Sequence, residues 1–148
     1  EAARLGVRMI LAADQVEEEG GSIPLAQFYA AVDLFCFPSL WEGFGNALLE
    51  AWFYRRLVLV NRYPVYQTDI APTGCRCLEI DTPADGDLGD SDITARIWAV
   101  LEDPALVEEW NEHNVQVGIQ HFSYESMTHR LLEALRLATR SARKAMVA

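Results

Sequence analysis

The sequence has 148 residues and a formal net charge of −10, because 22 Asp and Glu outnumber 12 Lys and Arg. This length predicts one domain with a buried core, and 51% apolar with 23% charged residues is typical of soluble globular proteins. The acidic balance argues against nucleic acid as a partner, and no apolar run approaches the roughly 20 residues of a transmembrane segment.

The first part of the chain predicts a strand between two helices. Residues 1–6 are typical of the last turn of a helix that ends at glycine, and residues 7–13 form an apolar run of strand length. An acidic loop follows. Ser22 and Pro24 then suit the start of a short helix over residues 25–31.

The middle of the chain predicts further alternation of strands and helices. Residues 33–38 are apolar, aromatic and terminated by proline, which predicts a buried strand. A helix is predicted over residues 46–55, and the continuous apolar run at 57–60 predicts another buried strand. Residues 63–74 are expected to contain one short helix, and residues 75–80 are a fourth strand candidate.

Three helices are predicted to finish the chain, after a polar loop at residues 81–90. They span residues 93–102, 104–120 and 123–145, the last with apolar residues at helical spacing. Strands that alternate with helices predict an α/β fold, with a parallel sheet and helices on both of its faces. Since only four strands are recognisable and the chain opens within a helix, we expect a piece of a longer protein.

The charge is divided unevenly along the sequence. Residues 123–148 contain five basic and two acidic residues and are therefore +3, which leaves −13 for residues 1–122. A basic last helix on an acidic body suits docking onto an acidic partner. The alternative is a solvated helix face whose cations lie near the negative end of the helix dipole.

A glycine-containing segment connects the second predicted strand to the helix after it, at the edge where α/β sheets bind ligands. Gly43 and Gly45 leave backbone amides unobstructed, and the start of the helix suits a phosphate or diphosphate. Glu42 and Glu50 flank this position, with Asn46 one helical turn before Glu50. Carboxylates accept hydrogen bonds from paired sugar hydroxyls, so a nucleotide-sugar site is one interpretation. A tight turn beside a surface glutamate is the other.

The run Glu42-Gly-Phe-Gly-Asn-Ala-Leu-Leu-Glu50 resembles the Glu-x7-Glu motif of retaining "group 1" glycosyltransferases with the GT-B fold. Residues 25–39, 101–106 and 122–125 are also similar to that family, and the resemblance covers about residues 7–138. It implies that residues 1–148 form one Rossmann-like, nucleotide-sugar-binding domain. That domain would be the C-terminal half of a two-domain enzyme, truncated at its N-terminus.

The resemblance also implies roles for individual residues. Glu42 would contact the hydroxyls of the donor sugar as the catalytic residue, and Glu50 would hold the ribose. The amides expected to face the sugar and diphosphate are those of Gly43, Phe44, Gly45 and Asn46. The family usually needs no metal, so we expect no cofactor or metal besides the nucleoside-diphosphate sugar. The family's basic phosphate-binding residues lie upstream of this chain, which predicts weak donor binding and no catalysis without the N-terminal acceptor domain.

The sequence departs from the family after the next strand, where a Gly-Gly loop is usual and Arg62 and Tyr63 stand instead. These side chains are predicted either to reach the cleft or to have a packing or capping role. The acceptor is unknown. The main alternative function is a non-catalytic α/β interaction module, and an epimerase of similar fold fits the motif less well.

Two residue types carry further expectations. Cys75 and Cys77 have the spacing of one edge of a metal site but no second pair of ligands, so they are predicted to be small buried residues. Three cysteines cannot all pair, and no signal peptide is recognisable, so a reduced, cytoplasmic setting is expected. Trp41, beside Glu42, is predicted either to line the cleft or to pack, with packing favoured. The tryptophans expected in the core are Trp52, Trp98 and Trp110.

Overall fold

The computed structural model describes residues 25–82 and 91–147. The chain divides into two compact units, Glu1–Ala31 and Val32–Ala148, which are taken separately here. In the first unit the described part is helix α1 (Leu25–Ala31), which confirms the predicted helix. The predicted helix end, the first predicted strand and most of the predicted polar loop lie outside the described residues.

Three parallel strands form the sheet of the described residues, in the order β1-β2-β3. They are β1 (Leu34–Phe37), β2 (Leu57–Asn61) and β3 (Leu78–Ile80). In register, Leu34 lies opposite Leu57, and Leu59 lies opposite Leu78. The parallel sheet confirms the predicted α/β fold, because parallel neighbours require crossover connections on the faces of the sheet.

The helices described in the second unit follow the predicted order. Between β2 and β3 the chain forms a π-helical turn and a 3₁₀ turn where one short helix was predicted. The elements are α2 (Asn46–Phe53), the π turn (Tyr66–Ile70), the 3₁₀ turn (Ala71–Thr73), α3 (Ser91–Leu101), α4 (Pro104–Phe122) and α5 (Tyr124–Val147). None of the described helices is long and apolar enough to cross a membrane.

Helix α2 ends two residues before the predicted boundary. Arg55 has a φ of 53°, in the left-handed region, and its N–H bonds the carbonyl of Trp52 at 2.8 Å. The N–H of Arg56 reaches back to the carbonyl of Ala51 at 2.9 Å. These two hydrogen bonds back to the last turn of α2 form a Schellman motif. The chain leaves the helix at this motif and continues into β2.

The core is built on both faces of β2. Leu57 packs with Leu78 of β3 and Val100 of α3, and partly buried side chains from α3 and α4 surround them. Val58 and Val60 alternate with these residues and so point to the opposite face, where they too are buried. Both faces of β2 are therefore covered, as expected for a parallel strand flanked by helices.

Strand β1 is less buried than predicted. It lies at an edge of the described sheet, and Cys36 is exposed on it. Cys75 and Cys77 are partly buried, and all three cysteines are free.

The tryptophans follow the predictions only in part. Trp52 is fully buried and Trp110 packs on the core, as predicted. The prediction for Trp98 was wrong, since its side chain is 58% exposed. Trp41 is 80% exposed, which contradicts packing, the favoured of its two predicted roles.

Candidate functional site

The candidate site residues lie where the sequence placed them, in the loop of residues 38–45 after β1 and on α2. Glu42 and Phe44 are partly buried, and Gly45 is buried beneath the loop. Asn46 opens α2 and is exposed, and Glu50 lies one turn further on, partly buried. The structure thus brings the glycine turn, the start of α2 and Glu42 to the carboxyl edge of the sheet.

A glycine is required at position 45 both by the backbone conformation and by the neighbouring Tyr63 side chain. The φ of 96° and ψ of 51° of Gly45 lie in the left-handed region, which side chains disfavour. A Cβ at this position would also collide with the hydroxyl of Tyr63. A Cβ at Gly43 would meet no atom within 4 Å. The second glycine of the turn is therefore structural, whereas the first leaves open space.

The N-cap residue of α2 is a glycine and so donates or accepts no side-chain hydrogen bond at the helix start. Gly45 stands at the cap position, and the first turn is closed by the Leu48 N–H on the Gly45 carbonyl at 3.0 Å. By contrast, α4 is capped by Asp103, whose carboxylate accepts from the amides of Ala105 and Leu106. Helix α2 therefore presents the positive end of its dipole at the glycine turn, behind an N-cap residue that has no side chain.

Tyr63 contacts the glycine turn through a hydrogen bond and packs against the end of β1. Its hydroxyl donates to the carbonyl of Phe44 at 2.9 Å, and its ring lies 6.0 Å from that of Phe37. Burial raises the pKa of Tyr63 to about 12, and the negative charge of the nearby Glu42 acts in the same direction. The phenol therefore stays protonated, and remains a hydrogen-bond donor, throughout the physiological pH range.

Asn61 is a functional candidate that the sequence reasoning did not single out. It is 4% exposed at the end of β2, and its amide nitrogen donates to the Ser39 carbonyl at 3.1 Å. Its amide oxygen accepts from the Thr82 N–H at 2.9 Å. The available signal was a polar residue that closes an otherwise apolar buried strand at the ligand-binding edge.

The structure decides between the two expectations for the loop after β2. Tyr63 is 1% exposed and packs inside the protein. Arg62 is half-exposed and pairs with Glu79 at 3.5 Å and with Asp81 at 3.3 Å. Packing, rather than reaching into the cleft, is therefore the role of the Tyr63 side chain.

A groove of about 480 Å³ opens beside the loop at the junction of α4 and α5. The ring of Phe44 lies edge-on to that of Phe122 at 5.4 Å and forms part of its wall. His121 and Arg130 line the groove and also line a larger neighbouring one of about 530 Å³. Neither groove is lined by Glu42 or Glu50, so both grooves are separate from the candidate carboxylates.

The groups at the candidate site suit an anion and hydroxyl groups as ligands. Backbone amides at the glycine turn and at the start of α2 suit the oxygens of a phosphate group. The carboxylates of Glu42 and Glu50 accept hydrogen bonds from hydroxyls. In the part of the chain that the structure describes, no three His, Cys, Asp or Glu side chains are grouped to hold a metal ion.

Comparison with known proteins gives a match to a family of glycosyl transferases and several similar proteins. A sequence profile described as "Glycosyl transferases group 1" matches residues 6–78, which contain all the candidate site residues. A "Mannosylglucosylglycerate synthase" of Thermotoga maritima is 31% identical over 134 residues, which are 85% of this chain and 31% of that protein. One of the same name from Petrotoga mobilis is 43% identical over 72 residues, 49% of this chain and 17% of that protein.

A third relative is an "MMP alpha-(1->4)-mannosyltransferase" of Mycolicibacterium hassiacum. It is 27% identical over 103 residues, which are 70% of this chain and 24% of the relative. The chain thus spans about a third or less of the length of each of these relatives.

Proposed function

Over residues 6–78 the chain belongs to the group 1 glycosyltransferases, and from that premise we propose that it is the donor-binding half of a retaining, two-domain enzyme with the GT-B fold. Such an enzyme transfers a hexose from a nucleoside-diphosphate sugar to an acceptor hydroxyl. The observation that carries the proposal is the start of α2 directly behind the Gly43–Gly45 turn, at the carboxyl edge of the sheet, with Glu42 and Glu50 on either side.

Each part of the site has a role in this proposal. The diphosphate lies against the amides of the turn and of Asn46, where the helix dipole favours negative charge. Glu50 accepts hydrogen bonds from the two ribose hydroxyls, and Glu42 accepts from hydroxyls of the donor sugar. Catalysis then rests on orientation of the sugar in a cleft that excludes water, without a metal ion.

Mannose is the donor sugar that the relatives favour. The three relatives are named for mannosyl-containing products or for mannosyl transfer. The proposed donor half is the part of the enzyme that this chain contains, so the likeness bears on the donor. The acceptor site would be built by the other half, and the names therefore say less about the acceptor of this enzyme.

The proposal includes a second domain and a location. An acceptor-binding N-terminal half completes the cleft, so residues 1–148 by themselves are expected to bind donor weakly and to catalyse no transfer. We place the enzyme in the cytoplasm, where the three free cysteines would stay reduced.

Calorimetry of this chain with GDP-mannose, UDP-glucose, ADP-glucose and the free nucleotides tests the proposal. We expect one sugar nucleotide to bind. Glu50→Ala should weaken its affinity by about tenfold or more, because charge-assisted hydrogen bonds to two hydroxyls are lost. Glu108→Ala, at an exposed glutamate of α4, is the matched control and should bind like the wild type.

The opposite results are equally definite. If Glu50→Ala binds the sugar nucleotide as tightly as the wild type, the assignment of the ribose site is wrong. If neither this chain nor the protein extended by its acceptor half binds any of the donors at millimolar concentration, the donor-site proposal fails. A non-catalytic interaction module on the same fold then becomes the better explanation.

A further inference from the structure

We infer that Asn61 and Tyr63 are positioning residues of the donor site: they fix the two ends of the loop of residues 39–44 and hold its turn in the binding geometry before the donor arrives. The inference rests on the proposed function and extends it to two residues outside the Glu-x7-Glu motif. Neither side chain is assigned a contact with the donor.

The geometry that carries the inference is a pair of hydrogen bonds to the two ends of one loop. The Asn61 amide donates to the Ser39 carbonyl at 3.1 Å, and the Tyr63 hydroxyl donates to the Phe44 carbonyl at 2.9 Å. Both donors come from the end of β2, 22 and 19 residues away in sequence. Between the two fixed carbonyls lies Glu42.

The two donors are themselves held in place. The Tyr63 ring is buried between the rings of Phe37, at 6.0 Å, and Tyr66, at 5.9 Å. Tyr66 in turn donates its hydroxyl to Glu79 on β3 at 2.7 Å. The ring of Tyr63 is therefore held by packing against Phe37 and Tyr66, and Tyr66 is in turn hydrogen-bonded to β3.

Asn61 is anchored in the same way. Its amide oxygen accepts from the Thr82 N–H at 2.9 Å, so a single buried side chain ties the loop after β1 to the residues that follow β3. A buried amide with both of its polar atoms paired has little freedom to reorient.

The consequence for binding is preorganisation. A loop that samples several conformations binds its ligand only in the competent fraction, so its apparent affinity falls by that fraction. Gly45, in its left-handed conformation, has no side chain to anchor the turn, and Tyr63 occupies the space where one would lie. The hydrogen bond from Tyr63 therefore substitutes for local anchoring of the turn.

Tyr63→Phe is the decisive variant, because it removes one hydroxyl and keeps the buried ring. With GDP-mannose as the probe, we expect an affinity about three- to tenfold weaker, the effect of one lost hydrogen bond. Affinity for guanosine, which has no diphosphate to meet the turn, should not change. If the screen identifies UDP-glucose as the donor, that compound and uridine take their places. Tyr124→Phe, at an exposed tyrosine, is the matched control.

Hydrogen exchange without ligand gives a second readout that a general loss of stability would not reproduce. In Tyr63→Phe the amides of residues 40–46 should exchange faster, while those of β2 keep their wild-type rates. Asn61→Asp retains an acceptor for the Thr82 N–H but has no donor for the Ser39 carbonyl. It should accelerate exchange in the same loop.

The outcomes separate this inference from the proposed function. If the wild type binds the sugar nucleotide and Tyr63→Phe binds it equally well, the positioning role is wrong and the donor site stands. The role is also overturned if the variant weakens guanosine and GDP-mannose alike, or if exchange accelerates throughout the sheet. A wild-type protein that binds no sugar nucleotide contradicts the proposed function, and the positioning role falls with it.

Discussion

At the scale of single residues, the two glycines of the turn differ in backbone conformation and in the space available for a side chain. Gly45 combines a left-handed backbone with a Tyr63 hydroxyl that occupies the place of a Cβ, whereas a Cβ at Gly43 would meet no atom within 4 Å. The same substitution at the two positions therefore distinguishes backbone strain and collision from a general effect of adding a methyl group.

Gly45→Ala should lower the free energy of unfolding by roughly 2–4 kcal/mol, because alanine is strained in the left-handed conformation and its methyl group displaces Tyr63. Gly43→Ala should change it by less than about 0.5 kcal/mol. Urea denaturation of both variants measures the difference.

The contribution of the collision can be isolated with Tyr63→Phe. That variant removes the oxygen nearest to the added methyl group and leaves the ring carbon at 3.4 Å, an ordinary contact. Gly45→Ala should therefore cost less in the Tyr63→Phe background than in the wild type. Equal costs in the two backgrounds would show that backbone strain alone penalises alanine at this position.

The sequence predicted where the motif residues lie, but not the contacts by which Asn61 and Tyr63 hold their loop. Glu42, Glu50 and the glycines lie close together in sequence, so their spacing around a strand-to-helix turn was readable. Asn61 and Tyr63 act on carbonyl groups about 20 residues away. No local pattern encodes such contacts, because they depend on which strands become neighbours and in which register.

At the scale of elements, the structure shows why β3 is shorter than predicted. Asn114, fully buried on α4, accepts from the Arg76 N–H at 2.8 Å and donates to the Arg76 carbonyl at 2.8 Å. A side chain from a helix thus takes both backbone groups that a sheet partner would use. The strand begins only at Leu78, although residues 75–80 have a strand-like composition.

Asn114→Ala should lower the free energy of unfolding by roughly 2–4 kcal/mol, because it deprives two partly buried backbone groups of their partner. Urea denaturation measures this effect. Gln116→Ala is the control, since Gln116 is exposed on the same helix and bonds only to Glu112 one turn before it among the contacts described. A loss below about 0.5 kcal/mol for Asn114→Ala would show that water replaces the amide at Arg76.

The boundaries of the helices reflect the same limit of local patterns. Helix α4 begins at Pro104 as predicted, because a proline and the Asp103 cap are signals within the segment itself. Helix α2 ends early because Arg55 takes a left-handed conformation that arginine disfavours. Its guanidinium donates a hydrogen bond to the carboxylate of Glu112 on α4 at 3.1 Å, a long-range contact that no local sequence pattern predicts.

At the scale of the whole molecule, the charge and the apolar surface of α5 are both unusual. The segment that contains it carries +3 against −13 for the rest of the sequence. Met127, Leu131 and Leu135 recur at helical spacing on α5, and all three are more than half exposed. Exposed apolar residues along one face of a helix indicate a surface that a partner covers. Under the proposed function, that partner is the acceptor-binding half.

Hydrogen exchange of α5 tests this prediction. In this chain alone, the amides from Leu131 onward should exchange rapidly, since tertiary packing and not helix propensity stabilises most helices. In the chain joined to an acceptor-binding half they should slow by about tenfold or more, with Val58 and Val60 of β2 unchanged. Leu135→Glu, at an exposed position, should abolish the slowing in the joined protein. If α5 exchanges equally in both proteins and Leu135→Glu has no effect, the helix is a solvated face, with its cations placed by the helix dipole.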